Sequence, residues 1–466
     1  MSQSHSTMPS GFTFGVARGA LPVIGHLRKF LWAPLDFLES LPSAGDLVEV
    51  RLGTRRAYVA CHPELVRRVF ADSRLFGKDE PQLKESQQTY GSSLATAPDD
   101  QHRRLRRLLQ PAFDRSGLAQ YGALLERKAA LLAGGWQDGQ VVDVFPAFCG
   151  FATDAVSRAL FPGRLGDECL AEVRNLFRKV SEAGEGVGVA AVLTLLRGMN
   201  GGRRRRKAVQ QLCDVLDRLI VECRAGGSDE SDDAFLLSPL FAASAQHSEA
   251  ETDRMSGPEP VLTDEEVRAQ ALSLLAAGTH TVATALTWTF HLLSQHPRVE
   301  RHLHEEVDSV LGGRPAAWAD LGSLAFTEHV VTEALRLYPP VWLLMRVTAA
   351  DATVAGRRLP AGSLILPSPL AVQRRGDIFA RPHVFDPDRW LPHRAAAYPR
   401  GSFCAFGGGA HKCIGDSFGM AEAVLTLATV AQSWRLRAAP GADLRTNPVA
   451  LAVHPRRLPM SVHARR

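Results

Sequence analysis

The stretch Phe406–Gly415, FGGGAHKCIG, decides how the chain is read. Three consecutive glycines, Gly407 to Gly409, come before a single cysteine, Cys413, and a helical pattern follows from Ile414 to Val430. Glycines without side chains let a loop bring its backbone close to a large flat ligand or adopt positive φ. A cysteine at a helix N-terminus sees the positive end of the dipole and unpaired N–H groups, and both favour thiolate over thiol. A single thiolate in such a loop suits a metal whose other ligands do not come from protein. The plain alternative is a buried structural cysteine in a Gly-rich turn.

Composition narrows the field. The chain has 466 residues and is 45% hydrophobic, enough for a large core and too apolar for disorder. No Pro/Gly/Ser-rich linker separates two patterns, so one domain over residues 1–466 is expected, with an irregular segment at 1–40 and a flexible loop at 226–260. The seven cysteines are scattered and form no C-x-x-C pair, which argues against a disulfide framework and a structural zinc site. The opening residues, MSQSHSTMPSGFTFG, have no apolar core, so no signal peptide is expected. No run of about eighteen apolar residues supports a transmembrane anchor, and a cytoplasmic location fits. A net charge of +5 comes with no nucleic-acid motif, so nucleic-acid binding is not expected.

Outward from the cysteine, other patterns stand out. Leu47–Leu52 and Arg56–Ala60 alternate around Gly53-Thr54 as a hairpin does, and His62-Pro63 opens a short helix to Phe70. Residues 81–98 read as a long loop. Asp99–Leu109 (DDQHRRLRRLL) reads as a helix stopped by Pro111, with His102 and Arg106 one turn apart on one face. Two donors so placed suit a pair of carboxylates, although most basic runs are solvated faces. From 117 to 225 the pattern is helical, with an apolar piece at 184–196. Thr263-x-x-Glu266 forms a capping box. A helix of about thirty residues follows, to about Ser294, and at 1.5 Å per residue it spans roughly 45 Å. Its centre reads Ala276-Ala277-Gly278-Thr279-His280-Thr281. Gly278 costs helix stability and so calls for a reason. Glu333-x-x-Arg336 lies on a later helix, Leu324–Leu337.

These elements, in this order, resemble the cytochrome P-450 family. The pattern Phe406-x-x-Gly409-x-His411-x-Cys413-x-Gly415 is similar to its haem-binding loop, and the likeness extends from about Ser40 to the end. The resemblance implies a mainly α fold, the cytochrome P-450 fold: a large helical domain with small β-sheets and a long central helix over the haem. It implies haem b ligated by Cys413, with Phe406 and His411 beside it. His102, Arg106 and Arg346 would grip the haem propionates. Glu333, Arg336 and Arg389 would form a buried structural network. Arg103, Arg104, Arg107 and Lys412 would suit an acidic electron donor. Val341–Leu344 and a hairpin at 444–453 would approach substrate, and the 184–196 region would belong to a mobile lid.

The resemblance also implies the chemistry. A haem-thiolate monooxygenase takes O2 and two electrons, here from ferredoxin and ferredoxin reductase, and inserts one oxygen atom into an apolar small molecule. Similarity to soluble terpene-modifying members suggests a terpenoid or polyketide of secondary metabolism, and a monomer. Thr281 would organise protons. The family's usual acid before this threonine is replaced by His280, which either relays protons or faces away. Gln373-Arg374-Arg375 also departs from the family's usual His-Arg-Asp. Peroxide-driven, coupling, desaturation or isomerisation chemistry is the rival enzyme reading, and a non-catalytic haem sensor is the rival of another class.

Overall fold

The computed structural model describes residues 11–78, 87, 91–161, 166–182, 203–225, 236–241, 262–446 and 452–465. The expected lid piece at 184–196, most of the 226–260 loop and the tip of the 444–453 hairpin lie outside these residues.

The N-terminal sheet forms because its strands alternate. Leu47–Leu52 and Arg55–Ala60 pair antiparallel through a two-residue turn, with Gly53 at φ 65°. Val48, Val50, Ala57 and Val59 enter one apolar cluster, while Leu47, Tyr58 and Ala60 enter another. The period of two therefore buries both faces. Four more strands complete the sheet in the order Phe14–Val16, Leu47–Leu52, Arg55–Ala60, Leu364–Pro367, Arg346–Thr348, Phe76–Gly77. Arg346 thus starts an inner strand, opposite Ile365. The helix Pro63–Ala71 follows directly, capped by His62, whose Nδ1 accepts from Glu64 N–H at 3.3 Å.

Within the segment expected to be irregular, the described residues 11–40 are more ordered than the sequence suggests. Leu27–Trp32 and Pro34–Ser40 are short helices, and Phe30, Phe37 and Leu38 bury against the sheet. Pieces this short have little intrinsic helical stability, so their order comes from packing. Pro111 also departs from expectation: it lies inside the last turn of the helix Asp99–Phe113. The missing N–H costs one bond near a helix end, and Ala112 and Phe113 beyond it are buried.

The central helix runs from Asp264 to Gln295, 32 residues. Both arms of its capping box are made: Thr263 Oγ1 accepts from Glu266 N–H at 3.2 Å, and Glu266 accepts from Thr263 N–H at 2.9 Å. It is buried nearly all round because Val144–Leu160, Arg203–Ala225, Ala325–Leu337 and Asp416–Ser433 pack on different sides of it. No helix among the described residues is long and apolar enough to cross a membrane.

Candidate functional site

The cysteine loop is shaped by its glycines. Gly407 and Gly409 take φ 69° and 65°, and a Cβ at Gly409 would lie 1.9 Å from the Phe70 carbonyl oxygen. The loop therefore closes against the end of the Pro63–Ala71 helix in a way only glycine permits. Cys413 N–H donates to Phe406 O at 2.9 Å. The helix beyond begins at Asp416 with Gly415 as its cap, so Cys413 stands ahead of the helix and not in its first turn. Its side chain is exposed to a cavity. Burial pushes the thiol pKa up, and the Gly415 N–H, Arg106 and Lys412 pull against that only in part. The Gly415 N–H and the two cations thus favour thiolate, as the sequence implies, against an opposing desolvation.

That cavity, of about 270 Å³, reaches from Cys413, Phe406 and His411 to Gly278 and Thr281 on the central helix. Its remaining walls are mainly apolar, with Val156, Leu236, Val341 and Leu344 among them. Thr281 Oγ1 donates to the Ala277 carbonyl at 2.6 Å. A Cβ on Gly278 would lie 2.6 Å from Val156 Cγ2, so close packing of the helix Val144–Leu160 gives one reason for the glycine. His280 is turned away from the cavity. Its Nε2 lies 3.0 Å from Ser181 Oγ, and its ring stacks on Phe177 at 5.0 Å.

A basic cluster adjoins the cavity. The His102 and His411 rings lie 4.0 Å apart, and His411 Nε2 lies 3.0 Å from Asp99 Oδ1. Arg106 donates to Gln110 Oε1 at 2.7 Å and to the Lys412 carbonyl at 2.5 Å, fastening its helix to the cysteine loop. Arg346 is buried, donates to the Met345 carbonyl and packs over the Phe70 ring. Lys78 reaches the Ala95 carbonyl at 3.1 Å. Burial, then neighbouring positive charge, pushes Lys78 down to about 7, and His102 and His411 to about 3. Burial alone lowers Arg346, to about 10. Asp99 is the acid that opposes this charge at Lys78, His102 and Arg346. Lys78 and Asp99 escaped the sequence reading. A lone lysine before a polar loop carries no pattern, and an acid in the first turn of a helix is common for reasons of the helix dipole alone.

The second charged cluster lies behind the cysteine loop. Arg336 makes two bonds of 2.8 Å to the Glu333 carboxylate, and Arg389 Nε adds one of 3.1 Å. Trp390 Nε1 donates to the same carboxylate at 3.0 Å. The remaining Arg336 donors reach the Gln373, Pro382 and Val384 carbonyls. Gln373 is itself buried: it donates to the Leu335 and Arg336 carbonyls and accepts from Cys404 N–H at 2.9 Å. The departure at Gln373 therefore builds a bridge between the Glu333 helix and the cysteine loop.

Comparison with known proteins agrees with this geometry. A family model, cytochrome P450, matches residues 16–461. Pentalenene oxygenase of Streptomyces avermitilis is 41% identical, over 97% of this chain and 98% of its own. Cyclooctatin synthase of Streptomyces melanosporofaciens is 40% identical, over 95% and 94%. Among solved structures, the haem domain of cytochrome P450DA superposes with a TM-score of 0.81 over 98% of both chains; at 22% identity that likeness speaks for the fold alone. A thiol facing a long central helix across an apolar cavity, in a chain matched by the family model from end to end, makes this protein a member of the cytochrome P450 family, a monooxygenase.

Proposed function

We propose that this chain inserts oxygen into an apolar terpenoid-like molecule, in the cytoplasm, with electrons from ferredoxin and ferredoxin reductase. The observation that carries the reading is the cavity, with Cys413 at one end, Thr281 at the other and mainly apolar walls between. The two Streptomyces relatives, named for pentalenene and cyclooctatin, support the substrate class.

Haem b fits the residues present. No group of three or more His, Cys, Asp and Glu among the described residues could hold a metal, so iron at Cys413 would take its other ligands from a porphyrin. The basic cluster carries more positive charge than Asp99 balances, and His411 Nδ1 is buried without a hydrogen-bond partner. Two propionates would supply the missing acceptors, held by Arg346, His102, Arg106 and His411, with Lys78 alongside. When bound, haem supplies the oxygen-binding metal and its redox chemistry. The chain's own share would be to present the Cys413 sulfur as the protein ligand, to exclude water with apolar walls, and to offer the Thr281 hydroxyl. That hydroxyl both donates and accepts. Rotated off Ala277 O, it would donate to a ligand in the cavity.

The test uses the purified holoprotein with NADPH, ferredoxin reductase and ferredoxin, and pentalenene as probe. A spin-state shift on adding pentalenene and an oxygenated product that needs both electron carriers support the reading. Full turnover with peroxide alone, or no product with any terpene hydrocarbon that shifts the spin state, would refute it.

A further inference from the structure

Three successive residues of the central helix face three different neighbours. Thr279 Oγ1 lies 3.4 Å from Thr153 Oγ1 on the helix Val144–Leu160. Thr281 faces the cavity. Between them, His280 faces the helix Asp167–Glu182, where Phe177 and Ser181 meet it four residues apart, on one face. Steps of about 100° per residue spread neighbouring side chains in this way.

The contact is a built one. Ser181 Oγ donates to the Phe177 carbonyl at 3.0 Å. A hydroxyl has one proton, so towards His280 the serine accepts and Nε2 carries the hydrogen. The ring planes of His280 and Phe177 meet at 28°. A carboxylate here would face the electron-rich side of Phe177, whereas an imidazole stacks on it. Position 280 is therefore suited to a flat ring with an outward N–H. His280 is buried, and so is Phe177.

We propose that His280 is a positioning residue: through Ser181 it latches the turn carrying Gly278 and Thr281 to the helix 167–182. Because this helix also packs on Arg203–Ala225, which in turn packs on the central helix, the latch closes a ring of three helices. Its loss frees the 167–182 helix from the cavity-lining turn while the rest of the central helix stays packed. The inference stands on this contact alone and does not depend on the substrate or electron donor proposed above.

Hydrogen–deuterium exchange on the full-length holoprotein tests it, with retained haem absorbance confirming that each variant is folded. Ser181→Ala removes the acceptor, His280→Phe keeps a ring without the N–H, and His280→Gln keeps a donor without the ring. Ser181→Ala and His280→Phe should each speed exchange in 167–182 by about fivefold, the effect of one hydrogen bond. The double variant should add nothing further, and His280→Gln should stay within about twofold of the parent. Dissociation of 4-phenylimidazole, followed by its visible spectrum, should quicken in the same two variants. Exchange unchanged in Ser181→Ala, additive effects in the double variant, or protection kept by Phe and lost with Gln would each overturn the proposal.

Discussion

Two clusters of charge flank the cysteine loop, and they are built on opposite plans. Around Glu333 the ledger of donors and acceptors closes: two arginines and a tryptophan converge on one carboxylate, and backbone carbonyls take further guanidinium hydrogens. Around His102 it does not close, because two imidazoles, Arg106, Arg346 and Lys78 gather near Asp99; burial, and then the neighbouring positive charge, lowers the proton affinity of Lys78, His102 and His411. A buried network whose donors find acceptors within the fold is scaffold. Positive charge gathered around a single carboxylate, with His411 Nδ1 left unpartnered, is what the proposed propionate site requires. Distance from the cysteine does not separate the two; whether donors find acceptors within the chain does.

The sharpest way to break this contrast is Glu333→Ala. It leaves two fully buried guanidiniums unpaired, and losing one partner of a buried ion pair costs about 3–5 kcal/mol. Soluble yield and thermal unfolding of the apoprotein should fall steeply, before any question of activity arises. Arg346→Met should do the reverse to the apoprotein, leaving its stability equal or higher because a like charge is removed. Its holoprotein should surrender haem to apomyoglobin about tenfold faster or more, the loss of a charged hydrogen bond of about 1.5–3 kcal/mol. If both substitutions destabilised the apoprotein alike, the distinction would fail.

Acid titration of the apoprotein gives a smaller effect. His102 and His411 have folded pKa values lowered to about 3 from the ordinary 6.5. Below pH 6.5 the unfolded chain binds protons that the folded one refuses, so stability present above 6.5 is lost as pH falls towards 3. His102→Phe should flatten that limb by about one proton's slope, measured as denaturation midpoint against pH. An effect of opposite sign belongs to Glu422, on the cysteine helix, fully buried with neither oxygen partnered. Burial raises its pKa well above the ordinary value. An acid held neutral in the fold costs stability as pH rises above about 4.5, where the unfolded chain ionises. Glu422→Gln should therefore lose less stability than the parent between pH 5 and 8, and an identical slope would contradict this.

Much of the architecture was legible because it is local. The hairpin at Gly53-Thr54, the Thr263–Glu266 box and the glycine loop before Cys413 are each written within about ten residues, and the structure has the elements they imply. Illegible were features that depend on remote partners. Where His280 points is set by which helix packs beside residue 280, and Phe177 and Ser181 lie about a hundred positions away. Lys78 joins the basic cluster only because the sheet edge at Phe76–Gly77 pairs with the strand carrying Arg346. Helix breaking by Pro111 was overruled by burial of the two residues after it.

The ferrous carbonyl spectrum of the holoprotein, recorded for the parent and for Cys413→Ser, tests the central assignment most directly. Ligation by this sulfur predicts the red-shifted thiolate Soret band in the parent, and a shorter-wavelength band or no retained haem in the variant. The same red-shifted band in both proteins would place the iron's ligand elsewhere and contradict the account.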